Sequence, residues 1–141
     1  GDEPFINPED INNLFDLVSK KEIVMGTLYS DLKSLDELED LNKVKILVND
    51  GIASNFFRET SLVNNIFIHQ GVYAFKYKTL KSFVSWQPSD NEKKYKLEQF
   101  RALDNGIKIN AIKSVSKIHL GVDTEDDLKK ANEIAKDDSY K

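Results

Sequence analysis

Asn49-Asp50-Gly51 stands between two β-prone apolar runs, residues 43–48 and 52–57. Asp-Gly readily supplies the two successive positive φ angles of a tight turn, so the whole segment reads as a β-hairpin. That pair brings antiparallel character into whatever sheet the other strands build. Residues 23–29, 66–75 and 107–112 are further short runs of strand character,. Helical signals lie between them. Asn7 caps a helix that begins at Pro8, and Ile11, Leu14, Phe15 and Val18 recur at the spacing of one buried face,. Ser34 caps a short acidic helix through Asp40, and residues 79–86 bring Leu80, Phe83 and Val84 to one side of another,. Ser89 and Glu92 form a capping-box pair ahead of a helix running to about Leu103, with Gly106 as its left-handed stop,. Thr124 and Asp127 do the same for a final amphipathic helix, after which the tail beyond Ala135 is polar and is expected to fray,. Strands interleaved with helices indicate an α/β fold, a sheet of mixed strands covered by helices on both faces.

The chain's 141 residues, 40 % of them hydrophobic, suit one globular domain with a real core,. A net charge of −4 is spread along the sequence, and no basic block offers a hold to a nucleic-acid backbone or an anionic membrane,. Cysteine is absent, which removes disulfides, thiolate zinc sites and a cysteine nucleophile together,. No apolar run is long enough to cross a bilayer, and a cytosolic setting fits best. The chain starts on glycine rather than methionine, which fits a fragment or a processed product,. Its glycines build no phosphate-cradling loop of Walker or dinucleotide type, and no Ser-His-Asp order stands out.

Asp2 and Glu3 precede Pro4, which forces the residue before it into extended geometry,. Carboxylates entering a loop in this way suit a hard cation, although taken alone an exposed acidic terminus is the favoured account of them. Asp123, in Gly121-Val122-Asp123-Thr124, falls one residue before a helix N-cap and can point outwards or merely assist capping,. Magnesium takes one or two protein carboxylates plus phosphate oxygens, so Asp2 and Asp123 together would suffice if they meet. His69, Gly71 and Tyr73 share a face of their strand by parity, and with Gln70 they can present hydrogen-bonding groups to a polyhydroxylated ligand,. A half-buried histidine satisfied by backbone is the alternative. Glu98 and Gln99 line the flank of a helix whose core positions are Leu97, Phe100, Ala102 and Leu103, and a solvated helix face is the default for both,. Arg58 closes the second hairpin strand, where it could grip a carboxylate or phosphate or form a surface ion pair,.

Five segments in register, GDEPFI at Gly1, IHQGVYAF at Ile68, FVSWQPS at Phe83, KLEQFRALDNGIKI at Lys96 and GVDTEDDL at Gly121, make the chain similar to CMP-Kdo synthetases. The resemblance covers nearly the whole chain. It implies a Rossmann-like nucleotidyltransferase fold, usually a cytoplasmic homodimer, that couples CTP and 3-deoxy-manno-octulosonate (Kdo) to CMP-Kdo and pyrophosphate for lipopolysaccharide synthesis with Mg2+. Asp2 and Asp123 match that family's metal-binding, catalytic aspartates. His69, Tyr73, Glu98 and Gln99 match its sugar-holding positions, and Arg58 matches the arginine ending its Phe-Ser-Arg segment. Neither nucleic acid nor membrane is implied as a partner. Three departures stand out. Family members carry an upstream, Gly/Arg/Lys-rich triphosphate-binding half, so residues 1–141 correspond to the C-terminal sugar- and metal-binding part, which alone is not expected to turn over CTP. Phe57 stands where the family has serine, and Ile68 where arginine usually precedes the histidine. The connection from Arg58 to His69 is also shorter. These changes leave room for a cytidylyltransferase acting on another 2-keto-3-deoxy sugar acid, or for a non-catalytic sugar-binding or dimerisation remnant.

Overall fold

The computed structural model of the chain describes residues 2–137, and the last four residues of the polar tail lie outside them. The chain gathers into two compact units, residues 13–114, and residues 1–12 with 115–141.

The larger unit holds strands β1 (Met25–Ser30), β2 (Lys45–Asn49), β3 (Ile52–Phe57), β4 (Ile66–Phe75) and β5 (Ile109–Lys113). Their order is β1-β4-β2-β3-β5, and β5 closes back onto β1. The β1·β5 pairing is parallel and the others are antiparallel, which gives the mixed α/β class expected. Closure is what the sequence pattern did not announce. Register shifts between Thr27 and Leu28 and between Leu47 and Val48 mark the bulges that add local twist and let so few strands curl round,. Asp50 and Gly51 take φ of 50° and 74°, the tight turn expected between β2 and β3,. The Gly51 carbonyl accepts from the Ala111 N–H at 2.9 Å, tying the hairpin tip to β5.

Residues two apart on one strand, Ile46 with Val48 and Ile109 with Ala111, join Met25, Ala53 and Phe56 in the core,. Leu97, Phe100 and Ala102 close it from the helical side, as their spacing predicts. Lys45 is fully buried, and its ammonium has a partner for each proton, donating to the carbonyls of Asp40 at 2.7 Å, Lys43 at 2.6 Å and Arg58. An unpaired charge there would be expensive. The three bonds fasten the loop before β2 to the end of β3.

Helix α1 (Pro8–Ser19) forms as its cap and periodicity predict, but on a rotated face. Leu14 and Val18 are buried, while Ile11 is 46 % and Phe15 71 % exposed. The cause is Gly26, above whose Cα a methyl would lie 2.9 Å from Leu17 Cδ2 and within 3.5 Å of Leu14 and Val18. The missing side chain makes a recess, and the helix seats Leu14, Leu17 and Val18 in it. Helix α2 (Tyr77–Ser85) turns Phe83 to the core and leaves Leu80 and Val84 exposed, so only one residue of the expected trio is packed.

The helix expected from Ser89 to Leu103 is two helices, α3 (Asp90–Tyr95) and α4 (Gln99–Asp104). Lys96 breaks them apart with a left-handed φ of 54°. The break lets Leu97 and Phe100, only 5 % and 6 % exposed, turn inward together. Glu92 keeps its capping-box role and also takes a two-pronged ion pair from Arg101, with Nε to Oε2 at 2.8 Å and Nη2 to Oε1 at 2.6 Å,. Gly106 ends α4 as expected. Its N–H donates to the Leu103 carbonyl and that of Ile107 to the Ala102 carbonyl, the paired bonds of a Schellman stop,.

In the smaller unit, Asn7 Oδ1 accepts from the Glu9 N–H at 2.9 Å and so caps α1,. Asp10 is fully buried and accepts from the Val115 N–H at 2.8 Å and from the Ser116 hydroxyl. Thr124 and Asp127 form the expected capping box on α5 (Glu125–Lys136),.

Candidate functional site

Within the smaller unit the two acidic loops singled out in the sequence lie side by side. The Val122 N–H donates to the Asp2 carbonyl at 2.7 Å. A methyl built on Gly121 would sit 3.6 Å from Glu3 Oε1, 3.8 Å from the Asp2 carbonyl oxygen and 3.9 Å from Asp123 Oδ2. Three oxygens from the two ends of the sequence therefore converge on the recess that glycine leaves. Burial first, then the charges of Asp2 and Asp123, push the Glu3 carboxyl up to about 7,. Asp123 is steadied from the other side, its N–H donating to Asp127 Oδ2 at 3.3 Å, the carboxylate that also closes the α5 capping box.

This arrangement fits a hard divalent cation. The donors are all oxygen, and a cation would offset the burial and, after it, the repulsion that together hold Glu3 protonated up to neutral pH,. Among the described residues no three acidic or histidine side chains form a ready-made metal group. Magnesium asks for less, one or two carboxylates with the remaining positions filled by water and phosphate. The resemblance names Asp2 and Asp123 as the residues that would hold it, and of Asp2 it is the carbonyl oxygen that borders the recess.

Within the larger unit, Met25, Tyr73, Phe75, Phe83, Glu98 and Gln99 line a pocket of about 130 Å³. Three of the residues picked from the sequence are thus gathered at one place. The break at Lys96 is responsible, because α4 restarts with Glu98 exposed at its cap and Gln99 only 3 % exposed. Gln99 was expected on a solvated flank. Instead its Oε1 accepts from the Tyr73 hydroxyl at 3.3 Å, so the pocket carries a fixed amide and phenol beside a carboxylate over an apolar wall. Such a mixture holds a polyol by its hydroxyls while its C–H face rests on aromatic surface. Arg101 stands 4.9 Å over the Phe83 ring and stiffens that wall,.

His69 adjoins the pocket through Tyr73, ring centres 5.6 Å apart, and its other face meets Phe56 edge-on at 4.9 Å. Burial pushes its imidazole down to about 3, so the ring is neutral at physiological pH,. His69 and Tyr73 share a face as parity predicts. Gly71 does not, because Thr27 pairs with Tyr73 and Leu28 with Gln70, which leaves Gly71 and Val72 in a bulge. Ile68, 8 % exposed, points to the opposite face of β4, so the position at which the family usually has arginine faces away from the pocket,. Arg58 is not among the pocket's lining residues. Its guanidinium donates to the carbonyls of Lys96 at 2.9 Å and Leu41 at 3.4 Å, bracing the turn that presents Glu98 and Gln99.

A profile of the cytidylyltransferase family matches residues 1–109. The chain belongs to the cytidylyltransferase family. As a member it is 34 % identical over 142 residues to a 3-deoxy-manno-octulosonate cytidylyltransferase of Koribacter versatilis, covering 95 % of this chain and 53 % of that relative. A relative of the same name from Bartonella bacilliformis is 35 % identical, with 95 % and 58 % covered. The structure of a CMP:2-keto-3-deoxy-manno-octonic acid synthetase complexed with CTP superposes with a TM-score of 0.84 at 27 % identity, over 96 % of this chain and 58 % of that one. This cytidylyltransferase chain therefore spans little more than half the length of the relatives it matches.

Two contributors escaped the sequence reading. Glu3 was seen only as a neighbour of Asp2, and its position against Asp123 depends on two loops meeting. Thr27, fully buried in β1, touches His69 and carried no signal, since a threonine in a strand is ordinary,.

Proposed function

We propose that this chain is the sugar- and metal-binding part of an enzyme that joins CTP and 3-deoxy-manno-octulosonate into CMP-Kdo and pyrophosphate, in lipopolysaccharide synthesis. The observation that carries this reading is the convergence of Tyr73, Glu98 and Gln99 on one pocket, beside a neutral His69. Its support is the likeness to synthetases of that name. Glu98 accepts hydroxyl protons, Gln99 and Tyr73 fix the ring, and neutral His69 exchanges a hydrogen bond without bringing charge. Asp2 and Asp123 would hold magnesium, which when bound supplies neutralisation of triphosphate charge. Their contribution is to fix two oxygens in place ahead of the substrates, so that little reorganisation is left for the reaction. A homodimer working in the cytoplasm belongs to the same proposal.

The test is to assay the protein at its natural full length with CTP, magnesium and a panel of 2-keto-3-deoxy sugar acids. Pyrophosphate release is expected with one of them, Kdo first, and release with none defeats the proposal. Asp123→Asn removes charge at nearly constant shape and is expected to abolish turnover while the circular dichroism spectrum stays native. Wild-type activity at ordinary magnesium concentrations would refute the metal role.

A further inference from the structure

We infer that Thr27 is a positioning residue that locks His69 in its Nε2–H tautomer and leaves Nδ1 as a hydrogen-bond acceptor for a substrate hydroxyl. This rests on the proposed role of His69 and adds the device that prepares it.

Thr27 Oγ1 lies 2.9 Å from the Val72 carbonyl, 3.2 Å from the Gln70 carbonyl and 2.9 Å from His69 Nε2. Carbonyls only accept, and the hydroxyl has a single proton to give. The Val72 carbonyl lies in the bulge where β4 has two residues more than β1 and the Gln70 carbonyl borders it, and Thr27, fully buried, reaches both. Donating the hydroxyl proton to the bulge leaves the oxygen's lone pairs facing Nε2, which must then supply the proton of that contact. The reverse polarity, with the hydroxyl donating to Nε2, would deprive both carbonyls of this donor at a buried site. A neutral imidazole carries one N–H, so placing it on Nε2 strips Nδ1.

Nδ1 makes no hydrogen bond to any described residue. Among those residues no fully buried side-chain nitrogen or oxygen lacks a partner, so Nδ1 retains some exposure on a half-buried ring. The low proton affinity of the ring keeps this arrangement from collapsing into a doubly protonated one at neutral pH. His69 does not itself line the pocket but packs on Tyr73, which does, and with Nδ1 bare it is a pure acceptor to which a sugar hydroxyl reaching past Tyr73 can donate.

The tautomer is read from long-range ¹H–¹⁵N correlation spectra of the labelled full-length protein, without substrate. With only two histidines in this chain, the His69 signals are those that vanish in His69→Gln. Wild type is expected to show a protonated Nε2 and a bare, downfield Nδ1. Thr27→Val, nearly the same shape without the hydroxyl, is expected to give a mixture of tautomers and to raise KM for the sugar acid about tenfold, with kcat little changed, while Thr27→Ser restores both. A wild-type Nδ1–H tautomer, or an unchanged Nε2–H tautomer in Thr27→Val, overturns the inference. Should the valine variant not fold, the wild-type and serine spectra still decide it. A tautomer that shifts as expected with no change in KM would retain the lock and reject His69 as a sugar contact.

Discussion

The Glu92–Arg101 pair is where the two-helix break becomes measurable. Its side chains are only 12 % and 19 % exposed, and it ties α3 to α4 through two charge-assisted bonds of 2.8 and 2.6 Å. Glu92→Gln keeps the shape and the reach to the Ser89 N–H, yet its amide offers one oxygen and turns two protons toward the guanidinium. One charge-assisted bond is lost, and a half-buried arginine is left partly unpaired. Together these should cost about 2 kcal/mol. For a protein of this size that is a fall in Tm of roughly 5–10 °C. The pH dependence has a fixed sign. Hydrogen bonds from Arg101 first, and from the Ser89 N–H, hold the Glu92 carboxyl below the usual range against the opposing effect of burial. A depressed folded-state value means the stabilisation is fully present above the unfolded value of about 4.3 and is lost as pH falls through the folded value. The gap between wild type and Glu92→Gln should therefore be constant from pH 6 to 8 and close under acid. Thermal unfolding followed by circular dichroism across that range gives the gap, and a cycle with Arg101→Met gives the coupling. A gap under about 0.5 kcal/mol at pH 7, or a coupling near zero, refutes the clamp.

Gly51 at φ 74° has open space around it, so Gly51→Val is penalised by backbone strain alone. Chemical denaturation should register about 1–2 kcal/mol, and an unchanged midpoint would argue against the left-handed turn. Tyr73→Phe removes the donor to Gln99 and leaves the ring contacts with His69 and Phe75. Sugar-acid KM should rise about fivefold with little loss of stability, and an equal loss of stability and affinity would make the hydroxyl structural instead.

Legibility in the sequence tracked how local each cause is. The Asp50-Gly51 turn, the capping boxes at Ser89 and Thr124 and the Gly106 stop each depend on residues within a few positions, and all are found. The break at Lys96 was hidden because lysine has no preference for a left-handed backbone, and what holds it there is the burial of Leu97 and Phe100. The rotated face of α1 was hidden because its cause, Gly26, sits on another element. The same applies to the site. Glu98 and Gln99 were found by resemblance, but that Gln99 turns inward to meet Tyr73 follows from the break. The spacing of Asp2 and Asp123 could not show that they meet, and their proximity is a property of two loops joined by the bond from Val122 to Asp2.

The closed strand order limits how such a chain can associate. β1, β2 and β4 each have hydrogen-bonded neighbours on both sides, and β5 is held between β3 and β1. The β3·β5 seam spans only the pairs Ile52–Asn110 and Ala53–Ile109, and β2 pairs with β4 only from Ile66 to Ile68, so open stretches remain at the far end of β3 and along β4 beyond His69. The bulge at Gly71 and Val72 interrupts the β4 stretch, and a short or bulged border is a poor template for a foreign strand,. Among the described strands of the larger unit, pairing with a further strand is confined to those stretches, so any contact made elsewhere on this unit rests on side chains, where a point substitution can abolish it without touching the sheet.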